Sequence, residues 1–160
     1  MKGGQQAVAV MIALAVAAQG AAVCAAQGQE DGSAANGMTV VDSSQVPWKK
    51  VARPGFPDGQ EIKPLHANER ISGRTSILKF PTGYIEPRHY HTTGGHSAYI
   101  LKGKMKMGDK VYGAGEFFYF PANVAHGPNE ALEEVEALVW TDGPLDTHLG
   151  EPPAGEGKGE

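Results

Sequence analysis

The stretch Gly83-Tyr-Ile-Glu-Pro-Arg-His89-Tyr-His91-Thr-Thr-Gly-Gly-His96-Ser-Ala-Tyr-Ile-Leu-Lys-Gly103 decides how this chain folds. It consists of short runs of β-forming residues bounded by glycine and proline, and it lacks a 3.6-residue apolar period. His89 and His91 are two positions apart, so on a strand both imidazoles lie on the same side. His96 follows at the start of the next run. The stretch therefore predicts strands whose histidines face one interior.

A fourth histidine ends a second stretch of the same kind, Gly115-Glu-Phe-Phe-Tyr-Phe-Pro121-Ala-Asn123-Val-Ala-His126. A metal cation needs three or four donor atoms at about 2–2.3 Å, and an i, i+2 pair with two returning strands can provide them. On its own, a His-x-His pair is common by chance, and a lone histidine is usually a surface or hydrogen-bonded residue. The candidate metal ligands are His89, His91, His96 and His126.

The spacing of the first stretch resembles the first motif of the cupin superfamily. That motif is Gly, five residues, His-x-His, three or four residues, Glu, six residues and Gly. Gly83 and Gly103 occupy the two glycine positions, and the His-x-His pair falls where the motif requires it. His96 stands at the position of the glutamate.

The second stretch resembles the second cupin motif, which is Gly, five residues, Pro-x-Gly, two residues, His, three residues and Asn. Gly115, Pro121 and His126 match this pattern. Asn123 replaces the second glycine, which is a mild change because asparagine also tolerates a left-handed backbone. The final asparagine is missing, and Glu130 occupies its position.

The resemblance implies an all-β single domain, a small jelly-roll β-barrel of the cupin type with a divalent metal in its mouth. Family members usually bind the metal through both histidines of the first motif, its glutamate and the histidine of the second motif. Carried over, this makes His89, His91 and His126 ligands and puts His96 at the fourth position. Either all four histidines bind the metal, or three bind it and His96 lies nearby.

Composition agrees with a β-protein and limits the function classes. The chain has 160 residues with 22 glycines and 11 prolines, which suits many tight turns and nearly excludes a helical bundle. Lys and Arg total 14 against 18 Asp and Glu, and no basic run stands out, so nucleic acid is not an expected partner. Further short β-forming runs span residues 75–80, 97–102, 104–107, 110–112, 116–120 and 135–140.

The ends of the chain differ in composition from its centre. Residues 1–26 carry an apolar run of about 12 residues, too short for a bilayer-spanning helix of about 20 but typical of an export signal. We expect a flexible leader over 27–39, the cupin domain over 40–149 and a disordered tail over 150–160. Cleavage of the signal removes Cys24, the single cysteine, and leaves a periplasmic or secreted protein with no membrane attachment.

A metal held only by imidazoles keeps its full positive charge, because imidazole ligands are neutral. Such a site attracts an anion and favours substrates that chelate as a monoanion, such as an enolate, a diketonate or a hydroxyketone. Nitrogen ligands suit iron, zinc, nickel and copper better than Mg²⁺ or Ca²⁺. Iron is favoured because the resembling cupins include iron dioxygenases, with zinc, manganese, nickel and copper as alternatives. A site closed by four imidazoles is structural, whereas a loose fourth ligand leaves positions open.

The sequence leaves two functions open. The resemblance implies the first, because cupins without the motif glutamate include dioxygenases that cleave diketones and hydroxyketones. This function is an oxidoreductase, a non-heme iron dioxygenase of an enolisable ketone or a related chelating substrate. The alternative is a non-catalytic module of the cell envelope that binds or senses a metal or small molecule. A metal-assisted isomerase or lyase is a weaker third option. The implied partner is a small molecule. Small cupins commonly form dimers, so the resemblance also implies a homodimer. No catalytic residue beyond the ligands is assigned.

Other residues carry weaker signals. Glu86 is either a carboxylate behind the ligands or, more simply, a charge at the rim. Asp142 and Asp146 lie on a loop near the end of the predicted domain, and their reaching the mouth of the barrel is a conjecture. His66 and His148 fall outside both motifs and are expected at the surface. Residues that belong either to the pocket or to the plain core are Tyr99, Met105, Met107, Phe118 and Phe120.

Overall fold

Twelve β-strands form the regular structure of residues 38–154, the part of the chain that this computed structural model describes. No helix occurs among these residues, and the expected all-β class is therefore confirmed. The strands are β1 (Lys49–Lys50), β2 (Glu61–Asn68), β3 (Gly73–Phe80), β4 (Ile85–Glu86), β5 (His89–Tyr90), β6 (His96–Lys102), β7 (Lys104–Met107), β8 (Lys110–Gly113), β9 (Phe117–Phe120), β10 (Asn129–Ala131), β11 (Val135–Thr141) and β12 (His148–Leu149).

The strands form three antiparallel sheets. Six strands pair in the order β1-β2-β3-β11-β6-β9, and four pair in the order β4-β10-β7-β8. The third sheet consists of β12 and β5 alone. Neighbours in sequence are often not neighbours in a sheet: β11 lies between β3 and β6, and β10 lies between β4 and β7. This exchange of strands between two facing sheets is how a jelly roll encloses one interior.

The core lies between the two larger sheets. Its buried residues are Phe80, Tyr84, Ile100, Met105, Ala131 and Val135, and Leu78, Met107, Tyr112 and Phe118 pack against them. Strand β7 has the pattern that the sequence predicts, because Lys104 and Lys106 are exposed while Met105 is buried and Met107 is half-buried. Its turn into β8 is a two-residue hairpin closed by the pair Met107 and Lys110.

The predicted export signal and nearly all of the predicted leader lie outside the described residues. Those two segments, and the export that they imply, therefore stay predictions. All twelve strands lie between residues 49 and 149. Within residues 38–154, no helix is long and apolar enough to cross a membrane.

Short strands near the end of the chain hold the histidine-bearing segment. Strand β12 pairs with β5, so that Leu149 lies opposite His89 and His148 lies opposite Tyr90. On the other side of β5, His89 forms an isolated antiparallel bridge with His126. The first histidine of the pair is therefore fixed from both sides by segments that are distant in sequence.

Gly103 makes the turn from β6 to β7 with a positive φ of 83°. A Cβ atom at this position would collide with the main-chain carbonyl oxygen of Glu134. Gly108, in the next hairpin, also has a positive φ, of 58°, but no atom lies within 4 Å of the place where its Cβ would be. A side chain at Gly103 would therefore meet both backbone strain and a steric collision, whereas one at Gly108 would meet backbone strain alone.

We expect Gly103→Ala to destabilise the protein by about 3 kcal/mol or more, because it combines left-handed strain with a backbone clash. Gly108→Ala, the matched control, should lower the free energy of unfolding by only about 1–2 kcal/mol, from strain alone. Urea denaturation of both variants measures the difference. Equal losses would contradict the collision at Gly103.

Candidate metal centre

Four histidine side chains meet inside the mouth of the barrel. His89 and His91 are 3% and 2% exposed, and His96 and His126 are each 9% exposed. The ring centroids of His89 and His126 are 4.2 Å apart, and those of His89 and His91 are 5.1 Å apart. One nitrogen from each of His89, His91 and His126 lies within 4.8 Å of the other two. These three imidazoles are placed so that one divalent ion can bind between them.

Backbone hydrogen bonds bring the two motifs together at this point. The N–H of His89 donates to the carbonyl of His126 at 3.0 Å, and the N–H of His126 donates to the carbonyl of His89 at 2.9 Å. Asn123 donates its N–H to the carbonyl of His91 at 2.7 Å. Asn123 has a φ of 61°, so the residue that replaces the motif glycine adopts the left-handed backbone that the sequence analysis allowed for it.

Main-chain carbonyls fix which nitrogen of each imidazole is free. Nδ1 of His89 lies 2.8 Å from the carbonyl oxygen of Pro87, and Nδ1 of His126 lies 3.2 Å from that of Val124. Nδ1 of His91 contacts the carbonyl oxygen of Asp146. A carbonyl can only accept, so each Nδ1 carries the proton and each Nε2 keeps a lone pair.

Two of the three free lone pairs have nothing else to bind among the described residues. Nε2 of His91 and Nε2 of His126 are buried and have no hydrogen-bond partner. A buried polar atom without a partner is destabilising by about 1–3 kcal/mol, and a bound cation would remove that penalty. Metal-ligating histidines usually donate their other ring N–H to a carbonyl or carboxylate, which is the arrangement found here. The donor set fits a divalent transition metal.

Burial keeps these imidazoles uncharged. Burial, with a smaller effect of the neighbouring imidazoles, lowers the pKa of His89 and of His126 from 6.5 to about 4. Burial also lowers the pKa of His91. At neutral pH the three side chains are therefore neutral ligands that need to release no proton when a metal binds.

His96 lies beside the three imidazoles rather than among them. Its ring centroid is 4.9 Å from that of His91 and 5.2 Å from that of His126, and its ring stacks on Phe120. Its Nδ1 is buried without a hydrogen-bond partner, and burial together with the other imidazoles lowers its pKa to about 3. The group of three converging nitrogens does not include it. A direct role for His96 as a ligand stays a prediction.

The imidazoles form one end of a cavity of about 80 Å³. Apolar side chains line most of it, including Met105, Met107, Phe118 and Phe120. Tyr99 points elsewhere and is 38% exposed. Arg53, Glu86 and Asn129 form a polar wall of the same cavity. Glu86 is thus a cavity residue, with its side chain only 12% exposed, and not the rim charge that the sequence more simply suggested.

Asp146 positions the loop that follows His91. Its carboxylate accepts hydrogen bonds from the backbone N–H groups of Thr92 and Thr93 at 2.8 and 3.1 Å, and from both threonine hydroxyls. It also contacts Nε2 of His148 at 2.7 Å. These bonds hold the pKa of Asp146 far below its usual range. The same residue orients His91 through its carbonyl, so one residue supports both the ligand and its loop.

The sequence indicated some supporting residues and missed others. His66 and His148 are exposed, as expected from their position outside the motifs. The sequence offered Asp146 only as a conjecture, because 55 positions separate it from His91 and no local pattern links the two residues. Arg53 gave no signal at all. The sequence hints of the polar wall were Glu86, as a possible carboxylate behind the ligands, and Asn129, one position before the place of the missing motif asparagine.

Comparison with known proteins agrees with this geometry. A small antiparallel jelly roll with histidines converging in its mouth defines the cupin class of proteins, and the fold predicted from the two motifs is confirmed. The chain belongs to the ChrR cupin-like domain family, whose model matches residues 36–146. No curated protein matches the chain.

Solved structures share the fold. A candidate acetylacetone dioxygenase of Methylibium petroleiphilum PM1 is 28% identical, with a TM-score of 0.61 over 73% of this chain and 86% of its own. The acetylacetone dioxygenase of Acinetobacter johnsonii is 22% identical, with a TM-score of 0.54 over 70% of this chain and 77% of its own. The complex of SigE with the anti-sigma ChrR from Rhodobacter sphaeroides matches at 21% identity and a TM-score of 0.50, over 62% of this chain and 51% of its own.

The buried histidines make the metal-free protein sensitive to acid. Their pKa in the folded state lies below 6.5, so between about pH 6.5 and pH 4 the unfolded chain binds more protons than the folded one. Stability is fully present above pH 6.5 and should fall on acidification, by about 1.4 kcal/mol per pH unit for each extra proton bound. Urea titrations with a chelator measure this slope. His96→Leu should reduce this slope, and His66→Gln, at an exposed histidine, is the control. An unchanged slope in His96→Leu would contradict the assignment of His96 as a buried, neutral histidine.

Removal of the Asp146 carboxylate should weaken metal binding without touching a ligand. Asp146→Ala releases Thr92 and Thr93, and we expect Zn²⁺ affinity to fall about tenfold, as for other partners that orient metal ligands. Competition with a chromophoric chelator measures the affinity. Asp142→Ala, which removes only a 2.9 Å hydrogen bond from Tyr119, is the control and should bind Zn²⁺ as the wild type does. Equal affinities in both variants would show that the loop does not position His91.

Proposed function

We propose that this protein is a metal-dependent cupin enzyme that acts on a small chelating organic molecule. His89, His91 and His126 hold the metal through Nε2, and iron is the favoured ion. One observation carries the proposal: three buried, neutral imidazoles direct free lone pairs into a single cavity. The preferred reaction is a dioxygenase reaction on an enolisable ketone, which the 28% identity to a candidate acetylacetone dioxygenase supports.

The chemistry follows from the charge of the ligands. A divalent ion bound by neutral imidazoles supplies an uncompensated positive charge that stabilises an enolate. Apolar side chains line most of the cavity, and its volume of about 80 Å³ restricts the substrate to a small molecule. In a dioxygenase, O₂ is the oxidant and both of its atoms enter the products of the broken C–C bond. His96, neutral at pH 7, stands next to His91 and His126, where it is either a fourth ligand or a contact for the substrate.

A second function is favoured by the family. The family model takes its name from ChrR, and a ChrR–SigE complex is among the proteins that share the fold. In this alternative, the chain is a non-catalytic module that binds or senses a metal or small molecule, located in the cell envelope if the expected export signal is used. A binding module and an enzyme differ in one property: an enzyme needs an open coordination position, whereas a structural or sensing site is closed.

His96→Ala distinguishes the two functions. If three histidines suffice, the purified variant should retain about one equivalent of metal, with its affinity reduced less than tenfold. His91→Ala is the comparison and should lose the metal, because it removes a proposed ligand and its support from Asp146. Elemental analysis and chelator competition give both values. A closed zinc site that is lost with His96 would favour the binding module.

The iron-loaded protein should consume O₂ with at least one enolisable ketone from a panel of diketones and hydroxyketones. An oxygen electrode measures the rate, and the His91→Ala protein is the background. The expected rate is zero in the variant because the metal is absent. Failure of the iron-loaded wild type to consume O₂ with every member of the panel would reject the dioxygenase.

A further inference from the structure

The polar wall of the cavity is built from three separate parts of the chain. Arg53 precedes β2, Glu86 ends β4 and Asn129 begins β10. Glu86 and Asn129 are register partners on neighbouring strands, and all three side chains line the cavity that contains the histidines. None of the three belongs to the set of metal ligands proposed above. The wall is therefore a second polar feature of the same cavity.

The side chain of Asn129 has one hydrogen-bond acceptor without a partner. Its Nδ2 donates to Oε2 of Glu86 at 3.0 Å, and because a carboxylate only accepts, this bond fixes the orientation of the amide. The residue is 4% exposed, and its Oδ1 is buried without a hydrogen-bond partner. Its oxygen can be satisfied only by a group that donates a hydrogen bond.

The side chain of Arg53 has one hydrogen-bond donor without a partner. Its Nη2 donates to Oε1 of Gln60 at 2.7 Å and lies 3.7 Å from Oε1 of Glu86. The guanidinium carbon stands 4.1 Å from the ring centroid of Phe56, which packs edge-on against His89. Its Nε–H is buried and has no partner. The guanidinium is thus held in place on several sides while one N–H stays free.

One free donor and one free acceptor on the same wall define the group that would bind there. A hydroxyl is the simplest group that can both accept from Nε–H of Arg53 and donate to Oδ1 of Asn129. A carboxylate would satisfy Arg53 but would face the oxygen of Asn129 and the negative charge of Glu86. A methyl group would leave both buried atoms unsatisfied, at about 1–3 kcal/mol each.

We propose that Arg53 and Asn129 form a subsite for a hydroxyl group of the ligand. The substrate class of this protein is then a small hydroxylated, chelating ketone, and not an unsubstituted diketone such as acetylacetone. This inference rests on the proposed function, since it assumes that the chelating end of the same molecule binds at the histidines. Glu86 is a positioning residue, because its carboxylate contacts both Arg53 and Asn129.

The test compares two probes that differ by one hydroxyl, acetylacetone and its 1-hydroxy derivative. The full chain is loaded with Zn²⁺, which is not redox-active, so that binding is measured by calorimetry without turnover. We expect the hydroxylated probe to bind about tenfold more tightly, the effect of one well-placed hydrogen-bonding group. The preference should fall to about twofold or less in Asn129→Leu and in Arg53→Met.

The matched control is Lys106→Met, which removes a cation from the exposed face of β7, opposite Glu130 and outside the lining of the cavity. It should keep the tenfold preference. Arg53 lies outside the strands, so Arg53→Met carries the test if Asn129→Leu does not fold.

Three results would overturn the inference, and they separate it from the proposed function. If both probes bind with equal affinity, the subsite is wrong while the chelating site stands. If the preference survives in both Asn129→Leu and Arg53→Met, the hydroxyl binds elsewhere and the subsite is again wrong. If neither probe binds the Zn²⁺-loaded protein, the subsite and the proposed function fail together.

Discussion

The structure depends on one constraint: three imidazoles must converge inside a barrel without charge. Burial is the main cause that keeps His89, His91 and His126 neutral, since it lowers the pKa of each. Burial does not decide which nitrogen is free, and three main-chain carbonyls do so by accepting from Nδ1. Each carbonyl comes from an irregular segment beside a short strand. The short strands and loops at the mouth are therefore as important to the centre as the long strands of the two sheets.

The candidate ligands and the polar wall differ in charge although they line the same cavity. The three candidate ligands are neutral imidazoles, so a metal bound there would keep its charge and attract an anionic chelate. On the polar wall, the charge of Arg53 is balanced by Glu86 at 3.7 Å. A ligand of this cavity would therefore be attracted as an anion by the bound metal and would find mainly hydrogen-bonding groups on the polar wall.

The sequence predicted the parts of the structure that depend on local spacing. The resemblance of two local motifs to those of the cupins implied the jelly roll, and the same motifs contained all four of the histidines that the structure buries in the cavity. Strand periodicity and turn residues, which predicted the individual strands, are also local properties. The alternation at Met105 and Met107 and the left-handed backbone at Asn123 were accessible for the same reason. Asp146 and Arg53 were not, because each reaches the site across long stretches of sequence and makes its contacts only after the sheets have formed. Glu86 was judged from its polarity alone, and the register of β4 against β10 decided its position.

The pairing of β12 with β5 has a consequence for the order of biosynthesis. His91 obtains its orienting carbonyl from Asp146, and β5 obtains its partner strand from residues 148–149. These residues leave the ribosome more than fifty positions after His91. A nascent chain that already displays all four histidines therefore still lacks the centre, and a chain cut short before Asp146 would carry every ligand but not the arrangement that prepares them. We therefore expect the candidate metal centre to form only after Asp146 has been synthesised.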